Sequence, residues 1–472
     1  MKKIYLLGVS CLIVLAFLGI YFRDDLAVLQ GRFSGVPSPT ETKPLETIQK
    51  LNSVKLSMST VDFTASDGSV RSAVRITGPA GDTFGTKIAN AGDVNGDGYE
   101  DMLVAAPYND LFASDAGLVY LIFGPFDGST VKSVQFSINE SEYNLGTRVS
   151  AAGDLNGDGY DDIFISGGED LYLIYGQKNP VSLLVSDLKV ANFKQALGAG
   201  NTGAEASPLG DIDGDGYEDA LIFSKGRDGF YLLRGDATAM KGKIKEDNKQ
   251  LTLYEWGDSV RPGALVAEND INGDGEFDLV IGSTKENSIF TYLGYSEDFA
   301  SGAWAGVDEV EFINADVLGP TVDASGDFNG DGLNDIVTGD SKRSNSVGMV
   351  LLVPGTETGS FDSDSYNLSG AQDLGLLGGS VRFVGDMNGD GYPEIAAGAT
   401  GELDDAGNVY FIYGGADFDF SGDLEDRYDL RISGENADDY FGDIIEYFPG
   451  NNSFAISAKG YADGAVYVFI QE

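Results

Sequence analysis

The chain has 472 residues, with 75 acidic and 30 basic side chains, a formal charge of −45 and no histidine. Such a surface repels polyanions and excludes nucleic acid as a partner, because phosphate binding needs clustered lysine and arginine. The missing histidine and the single cysteine, Cys11, also remove His-based triads, most zinc and copper sites and any disulfide within the chain.

At the N-terminus, Met1-Lys2-Lys3 precedes an apolar run over residues 4–22, which ends at Arg23-Asp24-Asp25. A run of this length spans a bilayer, and no small-x-small cleavage site follows it. The flanking charges orient the N-terminus inward and the bulk of the chain outward. Residues 1–23 are therefore expected to form a signal anchor, a transmembrane helix holding the rest outside the cytoplasm, at the cell surface or in a periplasm. The alternative is secretion after signal cleavage. Gly8-Val9-Ser10-Cys11 is a poor lipobox, and Cys11 reads as part of the apolar helix. Residues 24–67, with Gly35-Val36-Pro37-Ser38-Pro39, lose the pattern and are expected as a flexible tether with room for a short helix at 45–51.

From there the sequence repeats. Six loops of the form Asp-x-Asn/Asp-Gly-Asp-Gly-x-x-Asp/Glu begin at Asp93, Asp154, Asp211, Asp270, Asp327 and Asp386, about 57 to 61 residues apart. Each is followed at once by a short apolar stretch (102–106, 163–165, 220–223, 279–281, 336–337, 395–397). After a turn comes a second β-branched and aromatic run (118–123, 171–175, 230–233, 289–293, 349–353, 409–413). Two further short runs bring each repeat to about four strands, the size of a propeller blade. The template recurs once more at Phe441-Gly442 and 465–469, with Pro449-Gly450-Asn451-Asn452-Ser453 in place of the loop. Val74-Arg75-Ile76-Thr77-Gly78 matches Leu430-Arg431-Ile432-Ser433-Gly434, so an N-terminal strand is expected to complete the last blade and close the ring. Residues 68–472 thus predict an all-β, seven-bladed β-propeller with six metal loops.

The loops carry the chemistry of a hard cation, which takes oxygen ligands. In the first, Asp93, Asn95 and Asp97 offer side-chain oxygens, Tyr99 its carbonyl and Asp101 a closing carboxylate, while Gly96 and Gly98 permit the turn. The second and third repeat this with Asp154, Asn156, Asp158, Tyr160 and Asp162, and with Asp211, Asp213, Asp215, Tyr217 and Asp219. The fourth uses Asp270, Asn272, Asp274, Glu276 and Asp278, and the fifth Asp327, Asn329, Asp331, Leu333 and Asp335. The sixth uses Asp386, Asn388, Asp390, Tyr392 and Glu394, with glutamate replacing the closing aspartate. An EF-hand shares the opening but needs an acid at position twelve, where Val104, Ile165, Ile222, Ile281, Thr338 and Ala397 stand. A bare Asp-Gly turn explains one copy but not six. About six Ca²⁺ ions with a structural role are expected, magnesium being less suited to such a loop. Only 23 of the 75 acidic residues lie in the loops, so the rest of the charge serves solubility.

Phe84-Gly85 and Ala105-Ala106-Pro107, with Asp93-Val94-Asn95-Gly96-Asp97-Gly98 between them, resemble the FG-GAP repeat of integrin α-subunits and related bacterial proteins. The resemblance implies a seven-bladed propeller, calcium loops on one rim between the first and second strands of a blade, and partner binding on the opposite rim. No inserted adhesion domain is seen in this sequence, so the integrin mode of ligand recognition does not carry over.

A membrane-tethered binding module for a protein or glycan, acting in adhesion or assembly, is the function expected. Loops at 107–115, 224–228, 283–286, 340–346 and 400–405 are placed opposite the calcium rim, with Tyr108, Asn109 and Phe112 as first candidates. Trp256 and Trp304 read as packing residues rather than sugar platforms. The alternatives are a calcium-dependent polysaccharide-active enzyme, for which no catalytic constellation is seen, and a structural subunit of a surface complex.

Overall fold

The computed structural model describes residues 43–79, 83–127, 131–186, 190–197, 205–224, 229–245, 247–255, 262–275, 278–283, 288–293, 307–311, 321–357, 366–460 and 464–471. The expected anchor at 1–23, Cys11, Glu276, Trp256, Trp304 and the loop tips at 225–228 and 284–287 lie outside the described residues. Among the described residues no helix is long and apolar enough to cross a membrane.

The architecture is all-β, with several sheets and few short helices, consistent with a β-propeller. The described residues form seven sheets of four or five strands, all in a compact unit spanning Lys50–Glu472. The first sheet shows the plan: Lys87–Gly92, Asp101–Ala106, Leu118–Ile122 and Ser133–Ser137 pair antiparallel in chain order. The first strands of the other six are Arg148–Gly153, Glu205–Gly210, Pro262–Asn269, Val322–Gly326, Leu377–Phe383 and Phe441–Phe448. Each first strand lies beside the first strand of the next sheet, and Phe441–Phe448 lies beside Lys87–Gly92. Sheets one, two and five also gain a short parallel outer strand from later in the chain: Leu183–Leu184, Gly242–Lys243 and Ser421–Asp423.

Burial explains the composition of the strands. Asp101–Ala106 and Leu118–Ile122 are buried along their whole length. Side chains alternate across a strand, and both faces here meet a neighbouring sheet. Met102, Val104 and Tyr120 join Val466 and Val468 of the seventh sheet, whereas Leu103, Ala105 and Val119 join Ile163, Ile165 and Tyr172 of the second. A strand buried on both faces reads as a continuous apolar run, which is why the repeats stand out in the sequence.

The seventh sheet is completed by chain from the other end. Val70–Thr77 pairs antiparallel with Ala465–Ile470, Val74 opposite Val468, as the match to 430–434 led us to expect. Arg75 and Tyr467 both donate to Glu435 Oε2, at 2.9 and 2.6 Å, tying the strand to the connector after sheet six. Folded structure begins earlier than the unpatterned stretch to residue 67 suggests. A helix at Lys43–Ser53 buries Leu51, and Ser57–Thr64 forms a fifth, outer strand on Val70–Thr77, with Phe63 packed against Phe441 and Tyr467. The flexible tether of residues 24–67 is corrected to that extent; its first part, to residue 42, lies outside the described residues. The strand escapes pattern reading because its burial is confined to one aromatic side chain.

Without Val70–Thr77, the edge of Ala465–Ile470 would be bare, and a bare apolar edge pairs with other chains. Deleting residues 57–77 is therefore expected to give soluble aggregates on size-exclusion chromatography where the intact chain gives one discrete species.

Candidate metal centres

Every loop connects the first strand of a sheet to the second, and its geometry repeats. The opening aspartate accepts hydrogen bonds from the loop's own backbone. Asp93 Oδ1 takes the Asp97 N–H at 3.0 Å and Oδ2 the Gly98 N–H at 2.8 Å. Asp154, Asp211, Asp270, Asp327 and Asp386 make the same two bonds, at 3.0–3.1 Å and 2.8–2.9 Å. The paired glycines take positive φ in all six loops, for example +70° at Gly96 and +91° at Gly98, so glycine is needed there.

The closing residue opens or directly precedes the second strand. Asp101, Asp162 and Asp335 are wholly buried, Asp219 and Asp278 nearly so. Four of them latch two pieces of backbone, and Asp278 accepts the Ile271 N–H within its loop at 2.8 Å. Asp101 Oδ2 accepts the Val94 N–H within the loop at 3.2 Å, and Oδ1 accepts the Gly124 N–H beyond the third strand at 3.0 Å. Asp162, Asp219 and Asp335 repeat the pair with Leu155 and Gly176, Ile212 and Gly235, and Phe328 and Gly355. Burial away from water pushes Asp101 up to about 8, Asp162 to about 9, and Asp219 and Asp335 to about 7.

The sixth loop differs in a telling way. Glu394 Oε2 accepts the Met387 N–H, but Oε1 is buried and has no hydrogen-bond partner. Its carboxylate lies with those of Asp386 and Asp390, one oxygen of each within 4.8 Å of the others. Burial pushes Glu394 up to about 7, and the two aspartates add repulsion. A buried carboxylate oxygen without a donor, facing two further carboxylates, suits a cation. Asp211, Asp213 and Asp215, half-buried or exposed, also bring one oxygen each within 4.8 Å of the others. The residues present therefore fit a hard divalent ion.

Two sets of contacts join the loops to one another, and neither is visible in the spacing. The eighth residue of the first three loops is acidic and reaches the preceding repeat. Asp161 Oδ2 accepts the Asp93 N–H at 2.6 Å, Glu218 Oε2 the Asp154 N–H at 2.9 Å, and Glu100 Oε2 the Gly450 N–H at 2.9 Å. The seventh residue covers a loop glycine: a Cβ on Gly96 or Gly157 would come within 2.6 Å of the Tyr160 or Tyr217 ring. Where the seventh sheet lacks a metal loop, Asn451 takes over the joint. Its Oδ1 accepts the Glu100 N–H at 3.1 Å, and its Nδ2 donates to the Glu100 carbonyl at 2.7 Å.

Asp161 and Glu218 reach the backbone where a glycine with positive φ, Gly92 or Gly153, precedes the opening aspartate. At Gly92 (φ +72°) an added Cβ would meet the Asp161 carboxyl carbon at 2.6 Å. Gly92→Ala is expected to cost ~2–3 kcal/mol, from left-handed strain and a weakened hydrogen bond, read from urea denaturation. An unchanged midpoint would contradict the latch.

The same acids line a cavity of about 480 Å³ where the first strands converge. Glu100, Asp161 and Glu218 face it together with Arg148, Arg382 and Glu446. Arg382 pairs with Glu446 at 3.0 Å and approaches Asp323 at 4.0 Å. Burial pushes the Glu446 carboxyl up, and the arginine opposes that shift.

Among the described residues, the connectors 107–115, 340–346 and 400–405 follow the end of the second strand opposite its acidic loop. Tyr108 is exposed there, Asn109 is buried, and Phe112 lies under Lys50, whose Nζ is 4.8 Å from the ring centre.

Residues 84–122, 145–179 and 378–412 match the family model of the FG-GAP repeat, so the chain carries FG-GAP repeats. Among curated proteins, Integrin alpha-4 of Xenopus laevis is 31% identical over 172 residues, 32% of this chain and 16% of that protein. Integrin alpha-PS3 of Drosophila melanogaster is 28% identical over 179 residues, 36% of this chain and again 16% of the relative. The match thus spans about a sixth of the length of these integrin relatives. Among solved structures, virginiamycin B lyase from Staphylococcus aureus aligns over 88% of this chain and all of its own, at 8% identity and a TM-score of 0.45.

Proposed function

We propose that the chain is a seven-bladed FG-GAP propeller, stapled by calcium at its six loops, that binds a protein or glycan partner in adhesion or assembly. The apolar segment at 4–22 anchors it to a membrane, with the propeller outside the cytoplasm. The observation that carries the reading is the shared loop geometry: six opening aspartates bonded to the same two loop amides, each paired with a buried closing acid. Oxygen donors arranged this way on a rigid strand end suit a cation that stiffens the scaffold, in a chain with no cystine to do so. Bound Ca²⁺ supplies positive charge among these carboxylates. The chain's own residues orient those oxygens, and the closing acids hold loop and strands in register.

The relatives named integrin support binding rather than turnover. Partner contact falls to the rim reached by the connectors between second and third strands, because the other rim is taken up by the loops. The test is a pull-down with the calcium-loaded chain from the membrane fraction of its source, alongside a glycan array and a polysaccharide turnover assay. A saturable partner supports the reading. Turnover without any stable partner would replace it with the enzyme alternative.

A further inference from the structure

Three junctions between successive sheets share one construction on the rim away from the metal loops. The connector between the second and third strands of one sheet bonds, backbone to backbone, with the connector entering the next sheet. Glu142 and Asn144 donate to Ser114 and Asp115 at 2.7 and 2.8 Å, Leu374 and Leu376 to Asn345 and Ser346 at 3.3 and 2.9 Å, and Asp438 and Tyr440 to Asp404 and Asp405 at 3.1 and 2.8 Å. The donors are left-handed in every case, with φ of +58° and +53°, +64° and +58°, and +63° and +52°. That conformation costs ~1–2 kcal/mol for an ordinary residue, and asparagine and aspartate tolerate it best.

The repeats supply their own control. At the first donor position stand Glu142, Leu374 and Asp438, and Leu374 is 61% exposed. Leu403, left-handed at φ +57° and 50% exposed, occupies the place that Ser344 (φ +51°) holds in the preceding sheet. The two leucines sit on adjoining connectors, joined by the Gly401 N–H to the Gly375 carbonyl at 3.0 Å. Neither packs against a buried cluster of its own or the next sheet. Leucine is thus twice disfavoured, by backbone conformation and by water; the sister junctions carry Glu142 and Asp438 at the place of Leu374, and Ala113 and Ser344 at the place of Leu403. Strain of this kind marks functional surface.

The charge around the pair identifies what fits it. Asp373, Asp404, Asp405 and Asp438 border it, and none of them forms an ion pair among the described residues. The preceding connector carries Lys342 and Arg343, so acids outnumber bases at this edge, as they do over the chain. Resting on the binding-module reading above, we propose that Leu374 and Leu403 form the apolar centre of a docking patch. Its partner is a protein segment that sets an aliphatic or aromatic side chain beside lysine or arginine. The leucines take the apolar group, and the surrounding carboxylates steer the cation.

The test is a random-peptide phage selection against the full chain in calcium, with binders re-measured on Leu374→Asn/Leu403→Asn and on Asp404→Asn/Asp438→Asn. We expect enriched peptides pairing an apolar residue with a basic one, a loss of at least tenfold on the leucine variant and about threefold on the aspartate variant. The leucine variant should melt no lower than the parent, because asparagine suits a left-handed backbone. Binders indifferent to the leucines overturn the patch while leaving a binding module in place. A selection that yields no binder to any face overturns the patch and the protein-binding form of the binding-module reading, leaving its glycan form to the array. A leucine variant melting several degrees lower makes these residues structural, and self-association of the parent that the variant loses, seen by sedimentation equilibrium, makes the occupant a second copy; either result overturns the proposal.

Discussion

Chelation of divalent cations is expected to lower the melting temperature by at least ~5 °C at pH 8, and by less at pH 5. An ion held at a hundredfold excess over its Kd contributes ~2.7 kcal/mol per site, and only two such sites give a shift of this size in a chain of this length. The pH dependence follows from the closing acids. Without a cation, burial raises Asp101 to about 8, Asp162 to about 9, and Asp219, Asp335 and Glu394 to about 7, against ~4 in an unfolded chain. The folded form therefore holds protons that the unfolded form has released, and stability falls as pH rises from ~4 to ~9. A bound cation favours the ionised carboxylates and offsets this loss, so the gap between calcium-loaded and chelated melts widens with pH. Differential scanning calorimetry at pH 5, 6.5 and 8 checks the sign. A gap that narrows with pH would contradict the placement of these acids.

The second large effect is local. Asp101→Ala is expected to destabilise the chain by ~2–5 kcal/mol even in chelator. The carboxylate is wholly buried and accepts from Val94 and Gly124, and removing it leaves two backbone N–H groups without acceptors, each costing ~1–3 kcal/mol. Asp101→Asn retains one acceptor oxygen and should lose about half as much. Urea denaturation in chelator separates this structural latch from any cation effect. Equal midpoints for alanine variant and parent would show that the two amides find other partners.

How much could be read in advance follows from the range of each interaction. The six acidic loops were legible because opening and closing acids stand within nine residues and each is followed by a buried strand. Closure by Val70–Thr77 was legible because that strand copies the outer strand of another repeat. The joints between loops were not. Asp161 and Glu218 sit in plain view in the sequence, but their partners, the amides of Asp93 and Asp154, are 68 and 64 residues away. Asn451 looked like a residue of a lost loop, yet it bonds both the amide and the carbonyl of Glu100. The helix at Lys43–Ser53 is allowed for at 45–51, but the strand at Ser57–Thr64 escaped because Phe63 is its one buried side chain. On the far rim, Tyr108 and Asn109 were chosen together, but exposure depends on connector geometry and separates them.

The central claim is that the six acidic loops are calcium sites that hold the scaffold. Isothermal titration of calcium into the chelated full chain at pH 7.5 tests it most directly. The account predicts saturable binding of about six ions, falling by about one on Asp386→Asn/Glu394→Gln. Absence of binding, or a stoichiometry unchanged by that variant, would contradict it.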